Sequence, residues 1–219
     1  MFLGHFGVGF GAKPLAPRTS LGTLFLAAQF IDLLWPILLL VGFERVAIVP
    51  GITLVTPLDF THYPWSHSLL AVVIWGLLFG CVYYLVRRYR AGAWVCGAAV
   101  ISHWVLDLLL HRPDLPILPG GDYRAGFGLW NSLAATLVIE LAVFAVGLAL
   151  YLRTTTASDR IGSVGLWSLV GFLLLIYAGN LFGAPPPSVT AIAWLGQAQW
   201  LLIAWGYWID RHRAVVRGQ

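Results

Sequence analysis

The chain has 219 residues, of which 59% are hydrophobic and only 10% charged, with a formal net charge of +4. A soluble domain is about a quarter charged, so this composition excludes an ordinary water-soluble protein and points to a bilayer. Nor does the positive charge mark a nucleic-acid surface: Arg87, Arg88 and Arg90 close one apolar run and Arg211, Arg213 and Arg217 another, as basic residues flanking membrane spans do.

Residues 2–12 form a short Gly-rich apolar segment containing His5, closed by Lys13-Pro14 and Pro17-Arg18. At about 1.5 Å per residue it cannot cross a hydrocarbon core of ~30 Å, so a half-membrane or interfacial helix is predicted. Residues 1–11 lack the basic start and cleavage pattern of a secretory signal and are expected to belong to the mature protein. A first span is predicted over 21–42, carrying Gln29, Asp32 and Pro36, with Pro36 expected to kink or break the helix just after Asp32. A polar, Pro/Gly-rich connection over 43–65 leads to a second span ending near Tyr84. Further spans are read over 94–110, 129–152, 164–182 and 189–209. The expected fold is therefore all-α, a polytopic membrane bundle of about six transmembrane helices plus the N-terminal half-helix. Residues 1–128 hold the motifs, and 129–219 form a three-helix half of the same membrane domain.

The distribution of Lys and Arg predicts that the 2–3 loop, the 4–5 loop and the C-terminus are cytoplasmic. The 1–2, 3–4 and 5–6 connections then face outward. Cys81 and Cys96 lie in apolar runs and are read as small packing residues rather than a disulfide or metal pair.

The stretch 99–114 carries His103, Asp107 and His111 at four-residue steps on one helix face. His103 and Asp107, one turn apart, have metal-ligand spacing. His111 lies two turns, about 12 Å, from His103, too far for both to hold one ion from a straight helix. A second candidate is His62-Tyr-Pro-Trp-Ser-His67-Ser68, a turn able to deliver imidazoles at the start of the second span. Asp32 is a carboxylate among Phe30, Ile31, Leu33 and Leu34, which a bilayer tolerates when it faces the bundle interior and meets a partner such as a cation. Glu140, about 15 Å into the fourth span, is a candidate ligand, base or structural partner. Asn180, Gln197 and Gln199 read as interhelical hydrogen-bonding groups, and His212 as solvated surface. Arg112 and Arg124 either snorkel to lipid phosphates or hold an anionic substrate group.

Gly4-His5, Phe30-Ile-Asp32, His62-Tyr-Pro-Trp-Ser-His67-Ser68 and Ser102-His103-Trp-Val-Leu-Asp107, in this order over residues 1–115, resemble the inner-membrane metal-dependent hydrolases of bacteria and archaea, some of them described as LexA-regulated. That family has a paired aspartate segment where this chain has Asp32 alone, and Arg-Gly between its histidines where this chain has Tyr-Pro. The resemblance implies a membrane-bound hydrolase with a metal site built from these residues.

The leading expectation is a zinc-type hydrolase, with Mn²⁺ or Fe²⁺ as alternatives, open to the outer leaflet and acting on a lipid or lipid-linked ester or phosphoester. His67, His103 and Asp107 are the expected metal ligands, with His62, Asp32 and His5 completing the site or holding a second ion. Asp32 and Glu140 are the candidate catalytic carboxylates. The alternatives are a cation- or proton-coupled transporter and a non-catalytic membrane protein with a structural metal.

Overall fold

The computed structural model describes residues 1–216; Arg217, read above as part of the basic tail, lies outside the described residues. The fold is an all-α bundle. Among the described residues, four helices are long and apolar enough to cross a membrane: α5 (Leu69–Arg87), α6 (Arg90–Leu110), α7 (Leu133–Thr154) and α8 (Arg160–Phe182). The bent pair α2 (Leu21–Ala28) and α3 (Phe30–Leu40), whose axes meet at 55°, is apolar enough to make a fifth when the two are taken as one broken span. The sixth predicted span is also divided, into α9 (Val189–Gln197) and α10 (Gln199–Asp210). Preceding these is α1 (Leu3–Gly11), the predicted short helix.

The first span breaks earlier than predicted. Pro36 lies inside α3, and the break falls at Gln29, before Asp32 rather than after it. Proline removes the N–H that would bond the carbonyl four residues back, here that of Asp32. Gln199, at the start of α10, donates its Nε2–H to that carbonyl at 3.4 Å. Satisfied from outside, α3 continues through its proline.

Helix α1 is enclosed by the bundle, with Leu3, Phe6 and Phe10 fully buried. It crosses α7 where Gly7 meets Gly147: a Cβ on Gly147 would lie 1.9 Å from the Gly7 carbonyl oxygen. Without an apolar solvent contrast inside a bilayer, helices associate by such close backbone packing. Phe6, Phe10, Phe25, Phe144 and Tyr151 fill the space around this crossing. On the other side, α5 packs antiparallel on α6 through a similar glycine contact, Gly76 against Gly97.

One end of the bundle carries Arg87, Arg88, Arg90, Arg153 and Arg160 and is closed by a short pairing of β5 (Thr155–Ala157) with β6 (Arg213–Val215). Lys13, buried at this end, donates to the Thr19 carbonyl and the Asp210 carboxylate. Covering the opposite end are the hairpin β1 (Arg45–Ile48) with β2 (Leu58–His62), the short helix α4 (Pro64–His67), and the pair β3 (Leu115–Pro116) with β4 (Arg124–Ala125). The titratable cluster lies beneath that cover, about 20 Å along α6 from Arg90.

Candidate metal centre

His103 and Asp107 occupy successive turns of α6 on its inward face, and His103 Nε2 lies 3.2 Å from Asp107 Oδ2. His67, the last residue of α4, brings its Nε2 to 3.8 Å from the same oxygen. Asp32, in the first turn of α3, sets Oδ1 3.5 Å from His103 Nε2 and 3.7 Å from His67 Nε2. Two imidazoles and two carboxylates thus define four edges of a cage, each between 3.2 and 3.8 Å. A tetrahedral ion with bonds of about 2.0–2.2 Å separates its ligand atoms by roughly 3.3–3.6 Å. Two trios, His5–His103–Asp107 and Asp32–His67–His103, each set their ligand atoms within 4.8 Å of one another, close enough to hold a metal ion.

Two further imidazoles meet Asp107. His5 Nε2 is 3.2 Å from Oδ1, and its ring stacks on that of His103 with centroids 3.7 Å apart. The predicted half-helix enters the bundle and delivers His5 to the cluster. His111 Nε2 is 3.8 Å from Oδ2. His111 and His103 both face Asp107, one turn from it on either side, so this carboxylate serves both imidazoles that the straight-helix estimate kept apart. The Met1 amino nitrogen also lies 2.5 Å from Asp107 Oδ1.

A metal-binding imidazole uses one nitrogen for the ion and gives the other N–H to a fixed acceptor. Three of these rings have such an acceptor. His103 Nδ1 lies 3.1 Å from the Ala28 carbonyl, which the break at Gln29 frees from helical bonding. His67 Nδ1 meets Ser66 Oγ at 2.7 Å, and His111 Nδ1 meets Asp114 Oδ1 at 2.9 Å. Each leaves Nε2 as the lone-pair nitrogen, directed at the shared carboxylates. His5 Nε2 and His103 Nε2 are fully buried with no hydrogen-bond partner, although each is 3.2 Å from an Asp107 oxygen. An imidazole nitrogen buried in an apolar bundle without a bond is costly; a cation at the centre of the cage removes that cost. Of the cluster, Asp32 alone keeps appreciable accessible surface, its side chain 24% exposed.

At the covered end, burial favours the neutral ring of His111 and lowers its pKa below the ordinary imidazole value, although the Asp114 carboxylate pulls the other way. Burial, reinforced by Asp114, holds Tyr63 well above the usual phenol range, so its hydroxyl donates to Asp114 Oδ1 at 3.0 Å.

Two sequence expectations are corrected. His62 is exposed at the end of β2, paired across the hairpin with Arg45, and does not join the cluster. In extended backbone neighbouring side chains project to opposite sides, and here Tyr63 takes the inward position. Glu140 does not face the cage as a ligand or base: its Oε2 accepts the backbone N–H groups of Phe2 at 2.9 Å and Gly4 at 3.2 Å, capping the start of α1. It holds in place the helix that carries His5. Arg112 pairs with Asp59 and with Asp114, and Arg124 donates to the carbonyls of Gly121 and Tyr123.

Sequence reasoning missed the buried Glu44, which accepts the Ser66 hydroxyl, and Asp114 as the partner of His111. The i, i+3 spacing of His111 and Asp114 was a usable signal; Glu44, in the connection ahead of β1 and 22 residues from Ser66 in α4, offered none.

Comparison with protein-family models, with curated proteins and with solved structures finds no match to this chain.

Proposed function

We propose that the chain is a membrane-embedded metal-dependent hydrolase in which His67, His103, Asp32 and Asp107 hold one ion, with His5 and His111 alongside. The observation that carries this reading is the cage of histidine–carboxylate contacts at 3.2–3.8 Å whose imidazoles are oriented from behind. Its nitrogen and carboxylate donors suit Zn²⁺ best, with Mn²⁺ or Fe²⁺ as alternatives. The motif order resembling the inner-membrane hydrolases supports the same assignment.

Such an ion supplies Lewis acidity, bringing the pKa of a bound water toward neutrality and polarising an ester or phosphoryl oxygen. The protein's part is to place and dry the site. Asp32, with open surface, faces the space a substrate enters; its Oδ1 turns to the imidazoles, leaving Oδ2 to take a proton. Burial of His5, His103 and Asp107 excludes bulk water from the rest of the cage. The site lies within the bundle rather than on a soluble domain, which favours a lipid or lipid-linked ester or phosphoester as substrate. Placement of the arginine-rich end in the cytoplasm of a bacterial or archaeal cell, with the C-terminus, follows the positive-inside rule and turns the cluster toward the outer leaflet.

Elemental analysis of detergent-purified protein, followed by a lipid-ester and phosphoester screen, tests the reading. Stoichiometric zinc, manganese or iron, lost in His103→Ala and Asp107→Ala together with turnover, is expected. A protein without metal after reconstitution overturns it.

A second reading is favoured by one observation: the breaks at Gln29 and Ala198 are brought together by the bond from Gln199 to the Asp32 carbonyl. Discontinuous helices beside an intramembrane carboxylate are a transporter arrangement. Metal-dependent proton or cation flux in liposomes, with no hydrolysis, is the outcome that selects it.

A further inference from the structure

His67 differs from the other caged imidazoles in how its rear nitrogen is held. His103 leans on a backbone carbonyl and His111 on a carboxylate, whereas the Nδ1 of His67 meets a hydroxyl, Ser66 Oγ, at 2.7 Å. A hydroxyl is both donor and acceptor, so by itself it does not choose the tautomer of the ring. Glu44 makes the choice. This buried carboxylate, 22 residues ahead of Ser66 in the chain, accepts the Ser66 hydroxyl on Oε2 at 2.6 Å. Its Oε1 accepts the backbone N–H groups of Trp65 and Ser66, each at 2.8 Å. Glu44 has only acceptor atoms to offer here, so the single hydroxyl proton of Ser66 is directed to it. Ser66 Oγ then presents a lone pair to the ring, Nδ1 carries the proton, and Nε2 is left with the lone pair facing Asp32 and Asp107.

We propose that Glu44, acting through Ser66, is the positioning residue that fixes His67 as a metal ligand. This rests on the metal-centre reading above. The chain of acceptors runs from the connection ahead of β1 to the cage and ties the cover of the site to its chemistry. Glu44 also caps α4 through Trp65 and Ser66, and Ser66→Ala separates the two roles: it keeps both backbone caps and removes only the hydroxyl link.

The test is a Co²⁺ titration of the full-length, detergent-purified protein, comparing wild type, Ser66→Ala and His67→Ala. It is joined to ¹⁵N-histidine NMR of the metal-free protein, with the His67 signals assigned by their loss in His67→Ala. The Nδ1–H tautomer is expected for His67 in wild type, with the Nε2–H form populated in Ser66→Ala. Co²⁺ affinity in Ser66→Ala is expected to fall about 10–100-fold, with a weakened tetrahedral visible spectrum. Wild-type affinity and tautomer in Ser66→Ala overturn the proposal, as does an Nε2–H tautomer in wild type. Co²⁺ binding unchanged in His67→Ala removes His67 from the cage and overturns it while leaving the metal centre standing. Failure of wild type to bind Co²⁺ overturns the metal reading and this inference together.

Discussion

The carbonyl of Ala28 receives the Nδ1–H of His103 at 3.1 Å. Ala28 is the last residue of α2, and the chain turns by 55° immediately after it. A bent helix inside a bilayer must find partners for the carbonyls it frees, and here one partner is a candidate ligand. The His103→Ala variant therefore loses two things: it is expected to be metal-free and also less stable by about 1–3 kcal/mol, because the Ala28 carbonyl is left unpaired. Metal analysis and denaturant unfolding in detergent, on the same preparations, check both.

Gln199 satisfies the Asp32 carbonyl because Pro36 cannot. A double-mutant cycle follows from this. Gln199→Ala is expected to cost about 0.5–1.5 kcal/mol in the wild-type background and close to nothing in Pro36→Ala, where a backbone N–H at position 36 takes over. Equal costs in the two backgrounds would show that Gln199 acts by another contact.

Gly147 leaves no room for a side chain against the Gly7 carbonyl. Gly147→Ala is expected to destabilise by about 1–3 kcal/mol as α1 is pushed from α7, and to weaken metal binding by displacing His5. Gly171, where a Cβ would meet nothing within 4 Å, is the control, and Gly171→Ala is expected to keep metal content and to cost no stability. Thermal unfolding with metal analysis reads both variants.

Glu140 anchors the α1 N-terminus. Glu140→Ala is expected to lower stability by about 1–3 kcal/mol, with metal affinity reduced through His5. A variant that keeps its metal and its stability but loses turnover would instead assign Glu140 to the chemistry. Metal titration against turnover distinguishes these outcomes.

At the arginine-rich end, Asp159 accepts from His212 Nδ1 at 2.7 Å and caps α8 through the Gly162 N–H at 2.9 Å. The His212 bond first, and the cap second, hold the Asp159 carboxyl below its usual range. A carboxylate with a depressed folded-state pKa contributes stability above its unfolded value, and that contribution is lost as pH falls through the folded value. Unfolding measured across the acid range is expected to show this arm in wild type and a flatter one in Asp159→Asn.

Composition and apolar run lengths alone determined the all-α membrane bundle, because a bilayer demands long apolar helices with their backbone bonds satisfied internally. The four-residue step from His103 to Asp107 was equally legible, since helical periodicity is local. Tertiary structure decided the rest. Whether α1 entered the bundle, and with it His5, depended on the Gly7–Gly147 crossing between segments 140 residues apart. The break at Gln29 rather than Pro36 depended on a partner from α10. His67 was expected as a ligand with His62 beside it, and only the cover decided that His62 lies outside while His67 stands against Asp32 and Asp107. Glu44 carried no local pattern at all: a carboxylate orients a ligand through contacts in space, and sequence order does not encode that the connection ahead of β1 meets α4.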